Sequence, residues 1–235
     1  MTRQPTTPEQ LALGLPGLTA MSRADFLEAP SNALALAAIE APGGLPQGKL
    51  VLTGPEGAGK THLAQVWAAA EGACQLDAAT LAAILPAQLA TLVGASVLID
   101  DADRVAGTAG EEALFHMHNH LQATKGALLL TARRPARDWG VRLPDLLSRL
   151  AATTHVALEP PDDALLAAVL VKLFSDRQIR VTPQLIDFLL ARMERSLAQA
   201  RRMVAALDRR ALALKRPVSR QLAAEILGEG LDKDT

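Results

Sequence analysis

The stretch Leu50-Val51-Leu52-Thr53-Gly54-Pro55-Glu56-Gly57-Ala58-Gly59-Lys60-Thr61-His62-Leu63 decides the fold. Leu50–Thr53 is a short apolar run of the kind a buried parallel strand needs, and HLAQVWAAA from His62 onward reads as a helix. Between them, Gly54 to Thr61 matches G-x-x-x-x-G-K-[ST]. The glycines let the backbone curl until successive N–H groups face one phosphate. Lys60 has the reach for β- and γ-phosphate oxygens, and Thr61 carries a hydroxyl suited to Mg²⁺. The helix beginning there adds the positive end of its dipole. Strand, loop and helix in this order make Gly54, Pro55, Glu56, Gly57, Ala58, Gly59, Lys60 and Thr61, with His62 behind them, the expected nucleotide-binding residues.

On either side of this stretch the same alternation repeats. Ala73–Leu76, Ser96–Ile99, Ala127–Thr131 and His155–Leu158 are further candidate strands, and Ala33–Ala41, Lys60–Ala70 and Glu111–Thr124 are candidate helices. Strands alternating with helices predict an α/β fold with a parallel sheet covered on both faces. After Pro160-Pro161 only helical periodicity remains, in about four segments punctuated by Thr182-Pro183, Ser196 and Pro217-Val218-Ser219. The expected organisation is a mobile tail over residues 1–20, an α/β nucleotide-binding domain over 21–160 and a small all-helical lid domain over 161–235.

Composition narrows the function classes. The 235 residues are 49% hydrophobic, with 24 Lys plus Arg against 25 Asp plus Glu, a net charge of -1. That is too apolar for disorder and lacks the basic excess of a chain built to hold nucleic acid directly. The single Cys74 leaves no partner for an intramolecular disulfide and no Cys-based zinc site. No apolar run approaches the ~18 residues of a membrane span, and MTRQPTTPEQ is not a signal peptide, so a cytoplasmic location without membrane partners is expected. His116, His118 and His120 lie close in sequence, but nothing at readable spacing completes a metal set, and packing accounts for them better.

Val97-Leu98-Ile99-Asp100-Asp101 complements the loop, an apolar strand ending in two carboxylates. Asp100 is the candidate Mg²⁺ holder through water, together with Thr61, and Asp101 the candidate base for an attacking water.

Taken together, GPEGAGKTHL, VLIDDADR, EEALFHMHNHL, LPDLLSRL and ARRMVAALDRR resemble one family. They are similar to the ATPase core of the bacterial replication initiator DnaA, an AAA+ ATPase, and within it to the shorter regulators of the Hda type. The resemblance runs from about Gln10 to Leu227 and implies an AAA+ P-loop domain followed by a helical lid, with ADP or ATP and Mg²⁺ as cofactors. It implies that Arg149 is an arginine finger acting in trans on the nucleotide of a neighbouring subunit, where a guanidinium offsets developing charge. It also implies that Arg201 senses the γ-phosphate in cis and that Thr131 lies near the polar residue that reads hydrolysis.

Departures accompany the likeness. Where DnaA-type chains usually carry Ser-Asp-Arg, this chain has Ala132-Arg133-Arg134, and Asp145 stands where a basic residue is usual. The loss of the acid puts self-hydrolysis in doubt and leaves the roles of Arg133, Arg134, Arg137 and Arg142 open. With the chain ending at Thr235, no terminal DNA-binding domain is expected. Gln10-Leu11-Ala12-Leu13-Gly14-Leu15 resembles the peptide that bacterial proteins insert into the β sliding clamp of DNA polymerase III. Gln10 would anchor by hydrogen bonds, while Leu11, Leu13 and Leu15 would fill an apolar groove.

The expected function is therefore regulation of replication initiation. The chain would dock on the clamp, reach DNA indirectly through it, and promote hydrolysis of DnaA-bound ATP, being at most a weak ATPase itself. The alternative is a self-hydrolysing AAA+ ATPase of the DnaC/IstB helicase-loader type, with Arg149 acting between identical copies in a homo-oligomer.

Overall fold

The computed structural model describes residues 21–83 and 92–229. Among them lie five strands, β1 (Lys49–Thr53), β2 (Cys74–Leu76), β3 (Ser96–Ile99), β4 (Ala127–Ala132) and β5 (Thr154–Ala157). They form one sheet in the order β2-β3-β4-β1-β5, with every pair parallel. Parallel neighbours require crossovers, and helices supply them: α2 (Lys60–Glu71), α3 (Ala78–Ala82), α4 (Gly110–Ala123) and α5 (Pro144–Ala152), with α1 (Ala33–Ile39) preceding β1.

The pleat sends alternate residues to opposite faces, and both faces are covered. Val51, Val97, Ile99, Leu128 and Leu130 pack with α4 and α5 through Leu114, Met117, Leu146 and Leu150. Leu50, Leu52, Leu98 and Leu129 pack the other way, against Leu36, Leu63 and Trp67 of α1 and α2. Interior β1 is buried at all five positions, whereas the edge strands β2 and β5 are only partly covered. The expected strands are present, and the departure from full burial at the edges follows from their having one neighbour each. Helix α5 did not stand out by periodicity, yet its signals are ordinary ones: Pro144 at the first turn, and Leu146 and Leu150 four residues apart, both buried.

The C-terminal part is a four-helix unit: α6 (Asp163–Asp176), α7 (Pro183–Leu190), α8 (Leu197–Leu214) and α9 (Arg220–Glu229). Asp162 and Ser196 cap α6 and α8 by accepting from Leu165 N–H (2.7 Å) and Gln199 N–H (3.2 Å). Phe174, Leu189, Met203, Leu207 and Ala223 build a core separate from the two sheet cores. Polar contacts tie this helical unit to the rest of the chain. Leu197 N–H, in the first turn of α8, donates to Gly57 O at 2.8 Å, and Lys172 of α6 pairs with Asp25 at 2.7 Å. The first contact sets the α8 N-terminus directly on the glycine loop. No helix among the described residues is long and apolar enough to cross a membrane.

Candidate functional site

The Gly54–Thr61 loop joins β1 to α2 at the carboxyl end of the sheet, the position where open α/β sheets bind ligands. Its glycines are demanded by space as well as by backbone angle. Gly57 has φ +75°, and a Cβ there would lie 1.9 Å from Ser196 Oγ. A Cβ on Gly54 would meet Leu158 O at 2.4 Å. The loop therefore sits wedged between the β5 exit and the start of α8, as only glycine permits.

Lys60 is buried, and its ammonium donates to Gly54 O (2.7 Å) and Pro55 O (2.9 Å). Burial pulls it below its ordinary pKa; the Asp101 and Asp100 carboxylates oppose this, and the Arg133 guanidinium adds to it. An anion on the loop would repair that desolvation, which is what a phosphate site requires.

At the end of β3 the two carboxylates are separated in role by the backbone. Asp100 accepts from Thr61 Oγ1 at 3.1 Å and from Thr131 Oγ1 in a short bond. Thr131, fully buried on β4, also accepts from Asp101 N–H at 2.9 Å. One hydroxyl thus holds both members of the acidic pair. Asp101 takes the left-handed conformation (φ +50°) and pairs with Arg104 at 3.0 Å. The Thr61 hydroxyl and the Asp100 carboxylate are hard oxygen donors side by side, a pair that would suit Mg²⁺, with Asp100 acting through water.

Opposite the acids, His62 and Arg201 close the cleft. His62 lies 3.3 Å from Ser22 O through Nε2 and 3.3 Å from the Arg201 guanidinium through Nδ1. A guanidinium only donates, so Nδ1 accepts and Nε2 carries the proton. Burial, and then the Arg201 charge, hold His62 below its ordinary pKa, and Phe26 packs edge-on to its ring. Burial likewise lowers Arg201. The structure thus brings Lys60, Thr61, His62, Asp101 and Arg201 around one cleft of about 310 Å³, with Glu56, Gly57, Gly59 and Arg133 on its walls.

A second cavity of about 460 Å³ continues behind His62 and Arg201. Its walls are Phe26, Leu27 and Asn32 before β1, and Leu165, Val169 and Leu173 of α6. Sequence reasoning did not anticipate it, having taken only the Ala33–Ala41 helix from this region. Four segments far apart in the chain form it, and its Phe26–Asn32 and α6 walls carry no motif. Its mixed, largely apolar lining suits a flat heterocycle attached to the phosphate cleft.

Arg133 acquires an account that the sequence lacked. Its guanidinium is 3.5 Å from Glu56 of the loop, and its N–H donates to Asp103 at 3.3 Å. Arg134, Arg137 and Arg142 are exposed. The loop carrying them is pinned by buried Glu111, which accepts from Gly107 N–H (2.6 Å), Leu143 N–H (2.8 Å) and Arg142 N–H (2.9 Å).

Arg149 lies elsewhere. It is exposed on α5, beside Lys49 and Thr154, the first residues of β1 and β5. The whole of β1, ~16 Å of strand, separates it from the glycine loop. The cluster Gln10, Leu11, Leu13 and Leu15 lies outside the described residues.

A five-stranded parallel sheet in this order, a glycine loop after its interior strand β1 and a helical unit on that loop define the AAA+ P-loop fold. Solved structures with this fold include domain III of the replication initiation protein DnaA from Thermotoga maritima. It is 18% identical with a TM-score of 0.76, over 90% of this chain and 97% of that one. AMPPCP-bound DnaA from Aquifex aeolicus matches at 20% identity and TM-score 0.66, over 78% of this chain and 63% of that chain. The Thermotoga maritima RuvB Holliday junction branch migration motor matches at 17% identity and TM-score 0.67, over 89% and 72%. No family model matches the chain.

Proposed function

We propose that this chain is a nucleotide-bound regulator of replication initiation of the Hda type. ADP or ATP sits with its phosphates on Gly54–Thr61 and its base in the cavity between Phe26 and α6. Thr61 and Asp100 hold Mg²⁺, which supplies charge neutralisation at the phosphates. Lys60 neutralises the phosphate oxygens, and Arg201 reaches the terminal phosphate from α8 while His62 fixes its guanidinium. AMPPCP in the Aquifex aeolicus DnaA of the same fold supports an adenine nucleotide here.

The observation that carries the regulatory reading is the placement of Arg149. It is exposed at the opposite end of β1 from Lys60, so it is available to a neighbour's nucleotide and remote from its own. That neighbour is DnaA, and the effect is faster hydrolysis of DnaA-bound ATP through charge stabilisation by the guanidinium. Gln10, Leu11, Leu13 and Leu15 tether the chain to the DNA polymerase III β sliding clamp and so, indirectly, to DNA. Intrinsic turnover is weak, because Asp101 is paired with Arg104 and Arg133 occupies the position where an acid is usual.

The test is hydrolysis of DnaA-bound ATP with and without this protein, in the presence of DNA-loaded clamp. Stimulation lost in both Arg149→Ala and Gln10→Ala supports the reading. No stimulation, with ATP turnover by the pure protein that Arg149→Ala abolishes, replaces it with a self-hydrolysing helicase-loader-type homo-oligomer.

A further inference from the structure

At the far end of β1 from the nucleotide cleft lies a pocket of about 130 Å³. Lys49 of β1, His118 and Gln122 of α4 and Arg149 of α5 line it, and no carboxylate does. Lys49 is only 7% exposed and His118 only 4%. Lysine is rarely buried unless an opposite charge accompanies it. Here its ammonium has one neutral acceptor, Gln122 Oε1 at 3.2 Å, and no described acid pairs with Lys49 or Arg149. His118 Nδ1 is buried with no hydrogen-bond partner among the described residues. Two cationic groups and the His118 ring thus line a space too small for a nucleotide and sufficient for one tetrahedral anion.

We propose that this pocket is an anion site for a phosphate-type oxyanion, held by the Lys49 ammonium and the Arg149 guanidinium, with the His118 imidazole as a third donor. The same chemistry has two sources. One is free inorganic phosphate. The other is the terminal phosphate of a nucleotide on a neighbouring subunit, and this source rests on the arginine-finger reading above. Burial, and then the charges of Lys49 and Arg149, push His118 down to about 4. Those two cations are the charged groups facing it, Lys49 from β1 and Arg149 from α5. At the pH where the ring titrates, phosphate is a monoanion, and one bound there offsets part of their effect, so the ring becomes a reporter of occupancy.

The experiment uses the full chain saturated with Mg-ADP, so that the glycine loop is already filled. Inorganic phosphate is titrated against chloride at matched ionic strength, while NMR follows the His118 ring. Phosphate is expected to raise the apparent His118 pKa by about one unit, a tenfold preference for the protonated ring. Lys49→Gln and Arg149→Gln are each expected to abolish the shift, and Lys49→Arg to retain it. Arg149 is exposed, so Arg149→Gln keeps the test decisive even if Lys49→Gln does not fold. An unmoved His118, or a shift equal in Arg149→Gln and wild type, overturns the site.

A second arm measures hydrolysis of DnaA-bound ATP. A tenfold loss in Lys49→Gln, with Mg-ADP binding intact, supports the nucleotide source. Full activity in Lys49→Gln with none in Arg149→Ala excludes that source. Unchanged hydrolysis in Arg149→Ala overturns the finger reading alone and leaves the phosphate titration to decide the site.

Discussion

Replacing Thr131 by valine tests how the acidic pair is built. Valine keeps the shape of this fully buried side chain and removes one oxygen. That oxygen makes two bonds: it donates to Asp100 and accepts from Asp101 N–H at 2.9 Å. An unpaired, half-buried N–H costs about 1–3 kcal/mol, and a lost bond to a carboxylate about 1.5–3 kcal/mol. Asp100 retains Thr61 and is half-buried, so the low end applies and the sum is about 2.5 kcal/mol. In a chain of this size that corresponds to a fall in Tm of about 5–10 °C. Asp100 also loses its orienting partner, and Mg²⁺-dependent nucleotide affinity should drop by about 10–100-fold. Thr131→Ser keeps the hydroxyl, sheds one methyl and costs about 1 kcal/mol. Calorimetry and nucleotide titration of the three proteins decide the matter. A Tm loss in Thr131→Val below about 3 °C, or serine as damaging as valine, would refute the hydroxyl's role.

Three more outcomes follow from the geometry. Gly57→Ala must move Ser196 off the loop, so nucleotide affinity should fall by at least tenfold in a direct titration, while far-ultraviolet circular dichroism stays native. Arg133→Asp removes an ion pair whose side chains are 49% and 67% exposed, so Tm should move by under about 2 °C. Its effect should appear instead as weaker binding of the triphosphate than of the diphosphate. His118 carries a folded-state pKa lowered from 6.5 to about 4, so below pH 6.5 the unfolded chain binds the extra proton and the folded chain does not. This contribution is therefore present above pH 6.5 and is lost as pH falls toward 4, about 3 kcal/mol in all. Denaturant unfolding at pH 7 and pH 4.5 should show a distinctly smaller difference in His118→Gln than in wild type.

Much of this molecule is local in origin. The Leu50–Thr53 run, the glycines of Gly54–Thr61 and the apolar approach to Asp100 each specify their own conformation, because strand burial and loop curvature depend on residues adjacent in sequence. The capping positions at Asp162 and Ser196 are legible for the same reason. The family likeness drawn from these motifs agrees with the fold of DnaA domain III.

What tertiary structure alone decided is everything that joins distant segments. Sequence spacing does not reveal that Thr131 ties both acids, that Arg133 faces Glu56, or that His62 and Arg201, 139 residues apart, share a hydrogen bond. Nor does it reveal the cavity behind His62, whose walls come from before β1 and from α6. The placement of buried Lys49 and buried His118 on one pocket at the opposite end of the sheet is of the same kind. Hydrophobic periodicity specifies which face of an element is buried, but not which other element buries it. Polar groups acquire partners, altered pKa values and binding roles only when that choice is made.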